Sequence, residues 1–127
     1  MTKIRQATLT VLQGATYPLS ANEVFSKIPL PCNPATIYRT LHYLEEKEYA
    51  HSFVLHCSEH GTERYYTLTP PDNQHHHWFH CEQCHCFIDL GNCALHSLIK
   101  DYQTKLGFEV TSHTLYVTGR CATCKNQ

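Results

Sequence analysis

Apolar residues Ile4, Ala7, Leu9, Val11 and Leu12 recur at a spacing that predicts a short first helix. Ser20 followed by Glu23 three residues later is a capping box that opens a second helix, Ala21 to Lys27. In the third, Asn33 caps and Pro34 takes the first helical position, while Ile37, Leu41 and Leu44 recur at i, i+4 and i+7 as a buried stripe. That helix is predicted to run to about Lys47. Two β-leaning segments follow, Tyr49 to His56 and Arg64 to Thr69. The intervening Cys57-Ser58-Glu59-His60-Gly61-Thr62-Glu63 suits a hairpin connection. Three helices and then a hairpin is the order of a winged helix-turn-helix.

The pattern breaks at Thr69-Pro70-Pro71-Asp72-Asn73, where tandem prolines exclude helix and the polar pair favours a turn. Beyond it, His76 to Cys81 and Cys86 to Leu90 are predicted to pair as strands through the Cys81–Cys84 turn. Leu95, Leu98, Ile99, Tyr102 and Leu106 then give a helix with an apolar face, closed by Gly107. Phe108 to Thr118 alternates as a long final strand ended by Gly119. The predicted fold is therefore α+β: a winged helix over residues 1–69, a hinge at about 70–73, and a small β-β-α-β unit over 74–127. A unit of that size is insecure alone, so a structural metal, a dimer interface or both are expected.

Composition narrows the function classes. The chain has 127 residues, 42% of them hydrophobic, and a formal charge of −1, which excludes a disordered or polybasic protein. No apolar run approaches the roughly 20 residues of a membrane span, and the N-terminus lacks a secretory pattern, so a cytoplasmic location and no membrane partner are expected. Against that background eleven His and eight Cys stand out. Thiols in the cytoplasm are kept reduced, which makes metal the first hypothesis. Cys32 and Cys57 precede the hinge; Cys81, Cys84, Cys86, Cys93, Cys121 and Cys124 follow it.

Cys81-x-x-Cys84 and Cys121-x-x-Cys124 form two chelating pairs, and four soft ligands favour a closed structural Zn2+ site. The competing reading, a thioredoxin-like redox motif, lacks a strand-to-helix context. On the predicted strand His75 and His77 project from one face and His76 and Trp78 from the other. His96 from the helix and His113 from the final strand complete a four-nitrogen set with His75 and His77, suited to zinc, nickel or cobalt. On the opposite face, His76 and Asp89 with His60 of the hairpin turn would bridge the two domains. In the third helix, Ile37 faces the core and turns Tyr38 and Arg39, with Thr36 in the same turn, outward where a recognition helix meets base edges. By composition alone a solvated helix face is the simpler account of those residues, because this half carries no net positive charge.

Pro34-Ala35-Thr36-Ile37-Tyr38-Arg39-Thr40-Leu41, Arg64-Tyr65, the His75-His76-His77 run before Cys81-x-x-Cys84, and the terminal Cys121-x-x-Cys124 together resemble the Fur superfamily of bacterial metal-dependent repressors. The resemblance covers almost the whole chain. It implies a homodimer whose N-terminal winged helix reads AT-rich palindromic double-stranded DNA, a C-terminal α/β dimerisation domain, a four-Cys structural zinc and regulatory divalent-metal sites near the hinge. His75, His77, His96 and His113 fall where the family places the ligands of a second metal site, with His96 where Glu is usual. That all-nitrogen set points to zinc as corepressor and to a Zur-like (zinc uptake regulator) member. At the interdomain site His76 and Asp89 match ligand positions, while Pro18, Tyr66 and Trp78 stand where the family places ligands. Either His60, Cys57 or Glu63 rebuilds that site, or His75, His77, His96 and His113 are the switch alone.

The expected activity is repression of metal-uptake genes without enzymatic chemistry, metal favouring a closed dimer whose two winged helices match one turn of DNA. The alternatives are a nickel- or iron-responsive relative, a peroxide sensor acting through Cys86 and Cys93 or through oxidation of a metal-bound His, a metal-buffering protein, and a zinc hydrolase, the last without any His-Glu-x-x-His motif.

Overall fold

The structure, a computed structural model, describes residues 1–72 and 74–127; of the expected hinge, Asn73 lies outside the described residues. The chain forms two compact units, Met1–Asn73 and Gln74–Gln127. Among the described residues no helix is long and apolar enough to cross a membrane.

The first unit runs α1 (Lys3–Gly14), β1 (Leu19–Ser20), α2 (Ala21–Lys27), α3 (Pro34–Glu46), β2 (Ala50–Cys57) and β3 (Gly61–Leu68). Its capping chemistry is the one read from the sequence. Ser20 Oγ accepts from the Glu23 N–H at 3.2 Å and Glu23 Oε1 accepts from the Ser20 N–H at 3.1 Å. Asn33 Oδ1 accepts from the Thr36 N–H at 2.9 Å, with Pro34 in the first turn. The apolar stripe of α3 is extended by Thr40, whose hydroxyl satisfies itself on the Thr36 carbonyl at 2.7 Å and so enters the interior without a stranded donor. Leu12, Leu19, Ala21, Val24, Ile37, Leu41, Leu44, Ala50 and Tyr66 form one core. Ser20→Ala removes the hydroxyl that accepts from the Glu23 N–H, leaves the backbone half of the capping box in place, and is expected to cost about 1 kcal/mol, read as a lower urea midpoint for this unit at unchanged slope.

The sheet of this unit has the order β1-β3-β2, all antiparallel, with the wing closing at Cys57 opposite Gly61. The wing is longer and its turn tighter than the sequence pattern suggested, because Gly61 takes φ 76 and lets the chain reverse over Ser58-Glu59-His60. β1, two residues long, pairs Leu19 with Tyr66. Periodicity cannot signal so short an element.

The second unit runs β4 (His76–Cys81), β5 (Phe87–Asn92), α4 (His96–Leu106) and β6 (Tyr116–Gly119), ending in a 3-10 turn, Cys124–Asn126. β4 is central, antiparallel to β5 and parallel to β6. Gly107 terminates α4 in the left-handed region, φ 72. The long final strand expected over Phe108–Thr118 is corrected to Tyr116–Gly119, with Gly119 inside the strand. The reason lies in register. β6 pairs Trp78 with Tyr116, an offset of 38, and β4 begins only at His76. At that offset Phe108 and Glu109 would need partners at Pro70 and Pro71, which have no N–H to give a ladder.

This unit has little apolar interior. All eleven residues of α4 are exposed or only half-buried. Ile88, Leu90, Leu98, Tyr102, Leu106, Phe108, Leu115 and Val117 all remain exposed. The buried side chains are instead His77, Trp78, His80, Cys81, Cys93 and Cys124. Polar and sulfur-bearing groups occupy the place of a core.

Candidate metal centres

Cys81 ends β4, Cys84 lies in the following turn, and Cys121 and Cys124 follow β6. Parallel pairing brings the two segments together: Cys81 stands opposite Gly119, whose carbonyl accepts from the Glu82 N–H at 2.7 Å. The four Sγ atoms lie within 4.8 Å of one another, and those of Cys84 and Cys121 are 3.7 Å apart. Sulfurs at about 2.3 Å from a tetrahedral zinc are separated by about 3.8 Å, so the donor set fits that ion in both chemistry and spacing.

Electrostatics prepares the site unevenly. The backbone N–H groups of Cys84 and then Cys121 hold the Cys81 thiol down at about 5 against the opposing effect of burial. The Cys124 N–H draws Cys121 in the same direction. Burial, followed by hydrogen bonding to Cys121, pushes the Cys124 thiol up to about 12. Cys81, Cys84, Cys121 and Cys124 would hold a divalent ion as thiolates, and its binding would release the remaining thiol protons to solvent. Cys86, beside the group, is pushed up to about 12, first by hydrogen bonding to Cys84 and then by burial.

The second centre follows from the same register. At an offset of 38 His113 falls level with His75 and Leu115 with His77. The Nε2 atoms of His75, His77 and His113 are accordingly 3.2, 3.0 and 3.3 Å apart in the pairs 75–77, 75–113 and 77–113. His77 Nδ1–H donates to the Leu115 carbonyl at 2.9 Å, which leaves the Nε2 lone pair free to bind a metal. Burial, followed by the charges of His77 and His96, depresses the pKa of His113 and favours the neutral, ligating form.

His96, expected as the fourth ligand, is the first residue of α4 and is exposed. Its ring centroid lies 5.7 Å from that of His75 and 6.4 Å from that of His113. Cys93 takes the inner place: its Sγ is 3.3 Å from His113 Nε2, and its ligand atom joins those of His75, His77 and His113 within 4.8 Å. By sequence alone Cys93 reads only as a reactive thiol. The available signal was its position three residues ahead of His96, at the mouth of the same helix.

Of the interdomain candidates, His76 and Asp89 meet within the second unit, Nδ1 standing 2.8 Å from the carboxylate, which also accepts from the Gly91 N–H at 2.7 Å. His60 lies exposed in the wing turn of the first unit. On α3, Tyr38 is 49% exposed and Arg39 is exposed, its Nη2 donating to Thr36 Oγ1 at 3.4 Å. Thr36 itself is engaged in the Asn33 cap.

The chain is similar to known proteins in sequence and in fold. A family profile described as the ferric uptake regulator family matches residues 1–118. A ferric uptake regulation protein of Campylobacter jejuni is 31% identical over 93 residues, covering 73% of this chain but 55% of the relative. The chain thus spans little more than half of that relative's length. A ferric uptake regulation protein of Yersinia pestis is 29% identical over 120 residues, covering 91% of this chain and 76% of the relative. Among solved structures, the Vibrio cholerae ferric uptake regulator, described with rearranged DNA-binding domains, superposes with a TM-score of 0.68 at 26% identity. That match covers 95% of this chain and 91% of the other.

Proposed function

The chain belongs to the ferric uptake regulator family, and from that premise we propose that it is a metal-responsive transcriptional repressor of metal-uptake genes, with zinc as corepressor. The observation that carries this reading is the convergence of three imidazole Nε2 atoms to 3.0–3.3 Å beside a separate four-sulfur group on the same sheet. One closed thiolate site suits a permanent structural ion; a nitrogen-rich site near the hinge suits an exchangeable one. The family is one of regulators, and with it the hydrolase reading falls away.

In this proposal residues 1–69 bind DNA. Tyr38 and Arg39 approach base edges from α3, and Thr36 orients Arg39. Residues 74–127 pair two copies of the chain. Exposed Leu98, Tyr102 and Leu106 recur at i, i+4 and i+8 on α4, and Phe108–Leu115 carries further apolar side chains, a surface that a second copy of this unit would cover. His76 and Asp89, with His60, remain a secondary candidate set. The family resemblance supports a cytoplasmic homodimer and an AT-rich palindromic operator. Metal then acts by differential affinity, binding the DNA-competent arrangement more tightly than the other.

The test is affinity for such a duplex at fixed salt, with and without one added equivalent of zinc beyond the structural ion. Zinc is expected to tighten binding about 5- to 150-fold, the usual range of allosteric coupling. Arg39→Ala is expected to cost about 1–3 kcal/mol of DNA affinity with zinc binding unchanged. Equal affinities with and without zinc would remove the switching role.

A further inference from the structure

We propose that the thiolate of Cys93, and not the imidazole of His96, is the fourth donor of the exchangeable site. The site then presents three nitrogens and one sulfur. This rests on the reading of the His75, His77 and His113 cluster as the regulatory metal site and assigns its selectivity.

Spacing is the first argument. Nitrogens at about 2.0–2.1 Å from a tetrahedral ion are about 3.3–3.4 Å apart, and a nitrogen and a sulfur at about 2.3 Å are about 3.5 Å apart. The three imidazole pairs stand at 3.0–3.3 Å and the Cys93 Sγ at 3.3 Å from His113 Nε2, so each distance is within a few tenths of an ångström of a tetrahedral edge. His96 stands outside this figure, its ring centroid 5.7 Å or more from those of His75 and His113.

Anchoring is the second argument. The Cys93 N–H donates to the His75 carbonyl at 3.1 Å, tying the thiol to the residue that begins the cluster. The Leu95 N–H points at Cys93 Sγ from 3.4 Å and stabilises negative charge on sulfur. Cys93 is 8% exposed, so water competes weakly for the position. On binding, the Cys93 S–H bond gives its proton to solvent and the sulfur lone pair goes to the ion; no electron transfer is involved. A thiolate among imidazoles selects zinc or cobalt over manganese and iron, which favour oxygen donors or more open octahedral sets.

Cobalt(II) titration of the full-length protein, with zinc retained in the four-cysteine site and quantified throughout, tests the assignment. The wild type is expected to bind one further equivalent with tetrahedral ligand-field bands and a near-ultraviolet sulfur-to-cobalt charge-transfer band. Cys93→Ser is expected to abolish the charge-transfer band and weaken binding by more than the ~10–100-fold that loss of an outer-shell partner causes. His96→Gln is expected to retain both. Cobalt bound to the wild type without a charge-transfer band, or a band that survives in Cys93→Ser at constant zinc content, overturns the thiolate assignment while leaving a regulatory metal in place. Failure of the wild type to take up any second equivalent overturns the assignment and the regulatory reading together. The wild-type spectrum stands whether or not the variants fold.

Discussion

Cys81→Ser or Cys124→Ser is expected to unfold Gln74–Gln127 while Met1–Asn73 stays folded. The second unit lacks the apolar interior that would carry it: its buried side chains include His77, His80, Cys81, Cys93 and Cys124, and its helix remains largely solvent-facing. Structural zinc in small domains contributes apparent binding free energies of about 10–16 kcal/mol at neutral pH. That exceeds what so few buried groups provide. Cys81 and Cys124 also sit in the interior, so serine there leaves a hydroxyl in a place shaped for a metal thiolate. Hydrogen exchange read residue by residue is the measurement: amides of β4, β5 and β6 should lose protection and those of α3 and β3 should keep it. A strong chelator should reproduce the pattern in the wild type. Unchanged protection in β4 after zinc loss would show that the ion is not structural.

The second large effect is expected in the other unit. Leu41 is fully buried on α3 within the core formed with Leu12, Leu19, Val24, Ile37 and Leu44. Leu41→Ala deletes three methylene-sized groups and leaves a cavity that neighbouring helices fill only in part, at a cost of about 2–5 kcal/mol. For a unit of this size that is a large share of total stability. Urea unfolding followed by a first-unit probe should show it, with zinc content unaltered. DNA affinity should fall with temperature earlier than in the wild type, because α3 carries both the core stripe and the outward Tyr38 and Arg39. A midpoint equal to that of the wild type would mean that the core closes around alanine without loss.

What the sequence shows and what it hides follow from the range of the interactions. The Ser20–Glu23 box, the Asn33 cap and Pro34 are local, and they locate α2 and α3 to within a residue. The paired Cys-x-x-Cys spacings show the four-sulfur group because each pair is a chelating unit of its own. The length of β6 is not legible in the sequence, because alternation in Phe108–Thr118 says nothing about the strand beside it, and the partner is limited by prolines nearly forty positions earlier. His75, His77 and His113 were legible from strand faces and topology. Cys93 is not legible as one of them, because a single thiol between a strand and a helix reads as a reactive group of its own until the register is known. His96 reads as the fourth ligand because the predicted helix starts beside the strand face of His75 and His77 and because the family places a ligand at that position. As the first residue of α4 it sits at the rim of the cluster, and helical side chains lean toward the N-terminus of their helix.

β4 carries a candidate ligand group at each end, His77 toward one and Cys81 at the other, about 13 Å apart at the rise of an extended strand. The same β6 answers both, and a slip of one residue between the two strands would turn every side chain to the opposite face. Ligation by the four sulfurs would clamp Cys81 against the segment that follows Gly119, and by doing so would pin the alignment that sets His113 beside His75. If both groups hold ions as proposed, the one bound by sulfur would work as a dowel for the other: the two would share no ligand, yet the fastener at the far end of the strand would set the accuracy of the sensor.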